Sequence, residues 1–225
     1  MKKTISSLLV PLLSVVAIPA AAQSLDKQAL TEKNYLGFEV GVVNVEELAS
    51  NIARSNAVSM VNAVGGSVSY TYPTNLAHGR LYTGAQEWQS MGWEVGYLFS
   101  ASLDTRYSGR SGGAVSYTAS DNYVFSFLDF AATFHGDKGG ALDGYFLKLG
   151  GHRSAIDRTV RFTVGATTYS AAYNQSGFGP FFAVGYDKGF GKNLDWRVSY
   201  AYYGNIAGQS DLSTYLINGG IVYKW

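Results

Sequence analysis

Apolar side chains recur at every second position in eight short runs between Tyr35 and Trp225, and the residues between them differ in character. In "YLGFEVGVV", Leu36, Phe38, Val40 and Val42 share one face, with Gly37, Glu39 and Gly41 on the other. A period of two sends alternate side chains to opposite faces of an extended chain, so each run predicts a β-strand between two environments. The same pattern sets Leu81, Thr83 and Ala85 against Arg80, Tyr82, Gly84 and Gln86. It then sets Trp93, Val95, Tyr97 and Phe99 against Glu94, Gly96 and Leu98, and Leu128, Phe130, Ala132 and Phe134 against Asp129, Ala131 and Thr133. Phe125 and Phe127 fall on the Asp129 face, which leaves the start of that run ambiguous, with a bulge as one reading. Downstream, Tyr145, Leu147 and Leu149 oppose Phe146, Lys148, Gly150 and His152, and Phe182, Val184 and Tyr186 oppose Ala183, Gly185 and Asp187. Trp196, Val198, Tyr200 and Tyr202 oppose Arg197, Ser199 and Ala201, and the closing strand runs from Tyr215 to Trp225.

The apolar face of these runs carries no charge, whereas the other carries Glu39, Arg80, Glu94, Asp129, Lys148, Asp187, Arg197 and Lys224, four acids and four bases. Glycine recurs on that charged face, at Gly37, Gly41, Gly84, Gly96, Gly150, Gly185 and Gly220. Small residues and paired charges fit the crowded bore of an eight-stranded barrel, which is just wide enough for its own side chains. Large apolar groups then face outward. In hydrocarbon the backbone can be satisfied only by a helix or a closed sheet, and a Lys or Arg on the lipid face costs about 2 to 4 kcal/mol at the midplane. The expected fold is therefore all-β: an eight-stranded, antiparallel, up-and-down transmembrane β-barrel. The 17 tyrosines now have a place, since Tyr35, Trp88, Trp93, Tyr145, Tyr186, Trp196, Tyr202, Tyr223 and Trp225 lie near strand ends, where interfacial girdles form.

The N-terminal "MKKTISSLLVPLLSVVAIPAAAQS" has a basic start, an apolar stretch and small residues ending at Ala22, the form of a bacterial secretory signal peptide. Cleavage after Ala22 leaves residues 23–225 as a single barrel domain. Cysteine is absent, so no disulfide framework is available. With a formal net charge of +1, 15 % charged residues and no basic block, no electrostatic footprint for nucleic acid exists.

Connection lengths alternate. "EWQSM", "HGDKGGALD" and "DKGFGKN" read as short periplasmic turns, and Asn44–Leu76, Ala101–Asp121, Arg153–Gly177 and Gly204–Asp211 as outer loops, placing both termini in the periplasm. The first outer segment starts with Asn44 as an N-cap and puts Val45, Leu48 and Ile52 on one face, predicting a short helix that serves as a lid over the barrel mouth or as an adhesive or receptor surface.

Taken in order, "YLGFEVGV", "GRLYTGAQ", "GWEVGYLF", "YFLKLG", "FFAVGYDKGFGKNLDWRVSY" and the terminal "GGIVYKW" resemble the small outer-membrane β-barrels of the OmpA transmembrane-domain, OmpX and opacity type. The resemblance implies a bacterial outer-membrane location and contact with outer-membrane lipids and lipopolysaccharide. It also implies that Tyr223 and Trp225 are read by the outer-membrane assembly machinery, although such chains more often end in phenylalanine. It further implies that Glu39, Arg80, Glu94, Asp129, Lys148 and Arg197 form a salt-bridge network that plugs the bore, since an unpaired charge there is costly. The peptidoglycan-binding domain of full-length OmpA is not expected.

Catalytic chemistry finds little support. His152 and Ser154 share a strand face, as a base and a nucleophile do, and resemble the spacing of lipid A deacylase barrels. The Asn-Ala-Gly that follows the serine there is Ala155-Ile156-Asp157 here. No P-loop or metal-ligand spacing is present, and no cofactor is implied. The expected protein is a monomeric, non-enzymatic envelope barrel with a structural or surface-interaction role toward an unknown surface ligand. A narrow channel for ions or small solutes is the alternative, and a lipid A-modifying enzyme the third.

Overall fold

The structure, a computed structural model, describes residues 33–87, 90–113 and 115–225. The expected signal peptide and Trp88 lie outside the described residues, and so does the side chain of Leu48. Among the described residues there are ten antiparallel strands: β1 (Lys33–Asn44), β2 (Ser67–Thr71), β3 (Asn75–Gln86), β4 (Met91–Ser100), β5 (Leu103–Arg110), β6 (Ser116–His135), β7 (Tyr145–Val164), β8 (Thr167–Gly189), β9 (Leu194–Tyr203) and β10 (Thr214–Lys224). Pairing runs β6-β4-β3-β1-β10-β9-β8-β7 and closes through β6 with β7, giving an eight-stranded barrel, while β2 and β5 extend the sheet beyond β4 at one end. One helix, α1 (Glu46–Val64), follows β1.

Side-chain polarity is inverted with respect to a water-soluble barrel. More than twenty large apolar or aromatic side chains on the barrel exterior are at least a third exposed, among them Phe38, Leu81, Phe130, Leu149, Val198 and Ile217. Fully removing such a side chain from water is worth about 1.5 to 3 kcal/mol, so leaving some twenty half-exposed forgoes roughly 15 to 30 kcal/mol, more than the entire stability of a typical domain. The band suits hydrocarbon, and Glu39, Arg80, Glu94, Asp129, Lys148, Asp187 and Arg197, which alternate with it on the same strands, point into the bore, with Arg80, Glu94, Lys148 and Arg197 at most 2 % exposed.

The short connections, 87–90, 136–144 and 190–193, lie at one end of the barrel, here the turn end. The opposite, hairpin end differs from the expected loops. Segments 101–121 and 153–177 are largely strand: β5 pairs with β6 from Leu103↔Tyr123 to Arg110↔Ser116, and β7 pairs with β8 without interruption to Val164↔Thr167. Their Ser, Thr, Tyr and Arg side chains are polar on both faces, so the alternation that marks a lipid-facing strand fades although the extended backbone continues. No bulge interrupts β6, whose register with β7 is continuous from Tyr117↔Val164 to His135↔Phe146. Phe125 and Phe127 therefore point into the bore with Asp129. The helix is longer than expected, at 19 residues. Asn44 Oδ1 accepts from the Glu46 amide at 3.1 Å, and the buried stripe is Val45, Ala49, Ala53 and Ala57, small residues that let α1 lie close against the sheet. No helix among the described residues is long and apolar enough to cross a membrane.

Candidate functional site

The bore is filled in layers. Near the turn end, Tyr35 and Tyr82 pack edge to face with ring centroids 6.3 Å apart, beside Val222. Tyr35 is thus not an interfacial residue, as its strand-end position suggested. Its parity is that of Gly37 and Glu39, which turns it inward, and its hydroxyl donates to Glu94 Oε2 at 3.2 Å. Glycines opposite these rings provide space: a Cβ at Gly37 would collide with the Tyr82 ring, and one at Gly84 with Tyr35, each glycine being the cross-strand partner of the aromatic it accommodates.

At the centre the structure brings the six residues expected to form the network into one cluster, with Asp187 of the same inward face as a seventh. Glu94 is its hub: Oε1 accepts from Lys148 Nζ at 2.6 Å and Arg80 Nη2 at 2.8 Å, and Oε2 accepts from Arg197 Nη1 at 2.8 Å. Arg80 also binds Asp129 through two nitrogens, at 3.0 and 2.5 Å, and reaches Glu39 at 3.2 Å. Arg197 makes a two-pronged contact with Asp187, at 2.7 and 2.8 Å. Such forked guanidinium–carboxylate pairs are the strong form of the interaction. The Tyr82 ring lies within 4.8 to 5.1 Å of the cationic groups of Arg80, Lys148 and Arg197. From Glu39 a chain of hydrogen bonds continues through Ser199 and Asn218 to His78. Lys224 pairs instead with Asp195 at the turn end.

Toward the hairpin end the filling becomes apolar. The Tyr203 hydroxyl donates to Asp129 at 2.9 Å, while its ring packs on Phe127 at 4.7 Å, Phe181 at 4.8 Å and His152 at 5.2 Å. Leu98, Leu103, Ile206 and Leu216 complete this plug at 0 to 1 % exposure. A void of about 20 Å³ remains among Val43, His78, Leu98, Phe127 and Leu216, room for a single water at most.

His152 and Ser154 are engaged separately. His152 Nε2 lies 2.7 Å from the Gly204 carbonyl, and Ser154 Oγ accepts from the Ala207 amide at 2.7 Å. Both fasten the β9–β10 connection, where Asn205 and Ala207 hold left-handed backbone angles (φ 53° and 54°). Neither side chain contacts the other as a base contacts a nucleophile.

A second polar cluster, which sequence reasoning missed, joins α1 to the sheet above the apolar band. Asp121 accepts from Asn56 at 2.7 Å, from Tyr123 at 2.9 Å and from two Arg158 nitrogens at 2.6 and 2.8 Å, and Asn56 also donates to Tyr107 at 3.1 Å. The paired carboxylate raises the Arg158 pKa, and burial raises that of Tyr107.

Of the girdle residues, Trp93, Tyr145, Tyr186 and Trp196 face outward near the turn end, with Tyr186 bridging Tyr145 at 5.0 Å and Trp196 at 5.5 Å. Tyr202 faces outward at the other rim, against Phe182 and Tyr215. Tyr223 and Trp225 are exposed and stacked at 5.9 Å. Among the described residues no three His, Asp or Glu side chains converge as a metal site would.

No protein-family model matches the sequence. None of the curated proteins matches it either. Among solved structures it is similar to Ail, the attachment invasion locus protein of Yersinia pestis, crystallised with the heparin analogue sucrose octasulfate, at 11 % identity and a TM-score of 0.45, covering 86 % of this chain and 98 % of that one. It is also similar to neisserial surface protein A, at 12 % identity and a TM-score of 0.38, covering 86 % and 97 %. The outer-membrane protein OprG of Pseudomonas aeruginosa gives 9 % identity and a TM-score of 0.40, covering 88 % and 97 %.

Proposed function

We propose that this chain is an integral barrel of the bacterial outer membrane whose bore is closed and whose hairpin end presents a folded surface to the cell exterior. The observation that carries the proposal is the division of labour along the barrel axis. The charge cluster and the Phe127–Phe181–Tyr203 plug fill the bore from wall to wall, while α1, β2, β5 and the tall β6–β7–β8 hairpins build an ordered platform that lipid packing does not require. The role is structural and interactive rather than transport, and the termini lie in the periplasm with the turn end. Tyr223 and Trp225 serve as the assembly signal of the last strand.

Two measurements test this. Folded protein in planar bilayers is expected to give no reproducible single-channel openings, and steady unitary conductance would favour the narrow-channel alternative. Shortening the β7–β8 hairpin by removing residues 158–173 should leave the heat-modifiable gel shift of a folded barrel intact while abolishing adhesion of expressing cells to host-cell or matrix surfaces. Unchanged adhesion would remove the surface-interaction role.

A further inference from the structure

A groove of about 570 Å³ lies on the outward side of the sheet at the hairpin end. Strand register builds its floor in two rows. In the first, Arg106 of β5 sits beside Ser120 of β6, and Ser120 beside Arg161 of β7. In the second, farther from the barrel, Ser108, Thr118 and Thr163 align in the same way. Parity puts these side chains on the face that carries Val124 and Phe130 lower on β6. Every lining side chain with that parity ends in a hydroxyl or a guanidinium, and no carboxylate borders the groove. Adjacent strands are about 4.8 Å apart, so the Arg106 and Arg161 backbones, one strand removed from each other, stand roughly 10 Å apart, within reach of one ligand. Both arginines are exposed, and among the described residues neither has an ion pair. Asp104, on the same face of β5, accepts instead from Asn122.

Guanidinium forks select phosphate oxygens, and a hydroxyl floor suits the sugar that carries them. Height and direction identify the source. Ser120 is four residues beyond Val124, about 13 Å along the strand and about 10 Å in height once the strand tilt is included. That places the groove above the hydrocarbon and just beyond the roughly 5 to 7.5 Å that a phospholipid headgroup layer adds on each side, at the level a saccharide headgroup reaches. It opens sideways to neighbouring lipid and not onto the bore axis. We propose that Arg106 and Arg161 form a docking site for the phosphorylated saccharide of an outer-leaflet glycolipid. The assignment rests on the outer-membrane placement proposed above.

The test is native mass spectrometry of the folded protein in detergent, titrated with a deep-rough lipopolysaccharide before and after removal of its phosphates with hydrofluoric acid. The native chain should bind the phosphorylated form about tenfold or more tightly over the dephosphorylated one. The Arg106→Gln/Arg161→Gln pair should bind both forms equally weakly, whereas Arg110→Gln, on the same face outside the groove, should keep the preference. Equal binding of both forms by the native chain, or a preference surviving the double substitution, overturns the site. An acyl-free phosphorylated core saccharide that binds as tightly as the intact lipid would assign the groove to a soluble ligand and overturn the lipid assignment. Gel mobility with and without boiling separates the two levels of failure: a heat-modifiable barrel lacking phosphate preference sinks the site alone, and a chain that is soluble without detergent sinks the membrane placement beneath it.

Discussion

Glu94 contacts Lys148, Arg80 and Arg197 and is wholly buried, so replacing it with glutamine tests whether the bore is organised by local pairing or by total charge. The central cluster holds four acids (Glu39, Glu94, Asp129, Asp187) and three bases (Arg80, Lys148, Arg197), and Glu94→Gln equalises them. If the bore responded only to net charge, the substitution would be harmless or stabilising. Local geometry requires the opposite. Asp129 and Glu39 still hold Arg80, and Asp187 still holds Arg197, but Lys148 loses its single carboxylate partner. A buried charge stripped of its partner costs about 3 to 5 kcal/mol, and that is the expected loss. Lys148→Met alone should cost less, about 1 to 3 kcal/mol, because two guanidiniums continue to satisfy Glu94 and the methionine fits among the Phe146 and Tyr82 rings that flank Lys148. The double variant should then recover much of the loss, with a coupling of about 1.5 kcal/mol or more. Reversible urea unfolding in phospholipid vesicles, followed by tryptophan fluorescence and checked by gel mobility, supplies all four corners of the cycle. A cost below about 1 kcal/mol for Glu94→Gln, or strict additivity with Lys148→Met, would refute the argument.

Three further outcomes are expected. Ser154→Ala removes the acceptor for the Ala207 amide and should raise hydrogen exchange across 204–209 without unfolding the barrel, a local loss of about 1 to 3 kcal/mol. Ala207→Gly should stabilise the same connection by up to about 1 kcal/mol in urea unfolding, since glycine adopts its left-handed angles without a Cβ penalty. Tyr107 has a folded-state pKa held above its ordinary value of 10 by burial, so its neutral form is the one the fold favours. Its contribution is complete below pH 10 and is lost as the pH rises through the higher folded value. Exchange protection of α1 should therefore fall at strongly alkaline pH, and Tyr107→Phe should blunt that fall.

The barrel was legible because lipid outside and charge inside write opposite chemistries on alternate residues, and this contrast survives in every run from Leu36 to Tyr223. Where the contrast disappears, so did the strands: β5, the outer half of β6, and the β7–β8 hairpin carry Ser, Thr and Arg on a face that no longer meets hydrocarbon. Tyr35 was misplaced because nearness to a strand end was given more weight than parity, which groups it with Glu39.

Parity also holds what was missed in the site. Asp121 lies eight residues before Asp129 and Arg158 ten after Lys148, so both continue the inward phase of their strands, as Phe125 and Phe127 do. Extending the period past the last lipid-facing residue would have put Asp121 and Arg158 on one inner surface, where β6–β7 register brings them within two rows of each other. Asn56 is different, since a helix in a long connection gives no register with the sheet. Its contact with Asp121 depends on how Ala49, Ala53 and Ala57 seat α1, which is a matter of tertiary packing. Replacing Asn56 with leucine tests this order of causes. If the alanine stripe seats the helix and Asn56 only completes the polar contacts, α1 should stay docked, at a cost of about 1 to 3 kcal/mol for the unsatisfied Asp121–Arg158 cluster. Loss of exchange protection along all of 46–64 would instead make the polar contact the cause of docking.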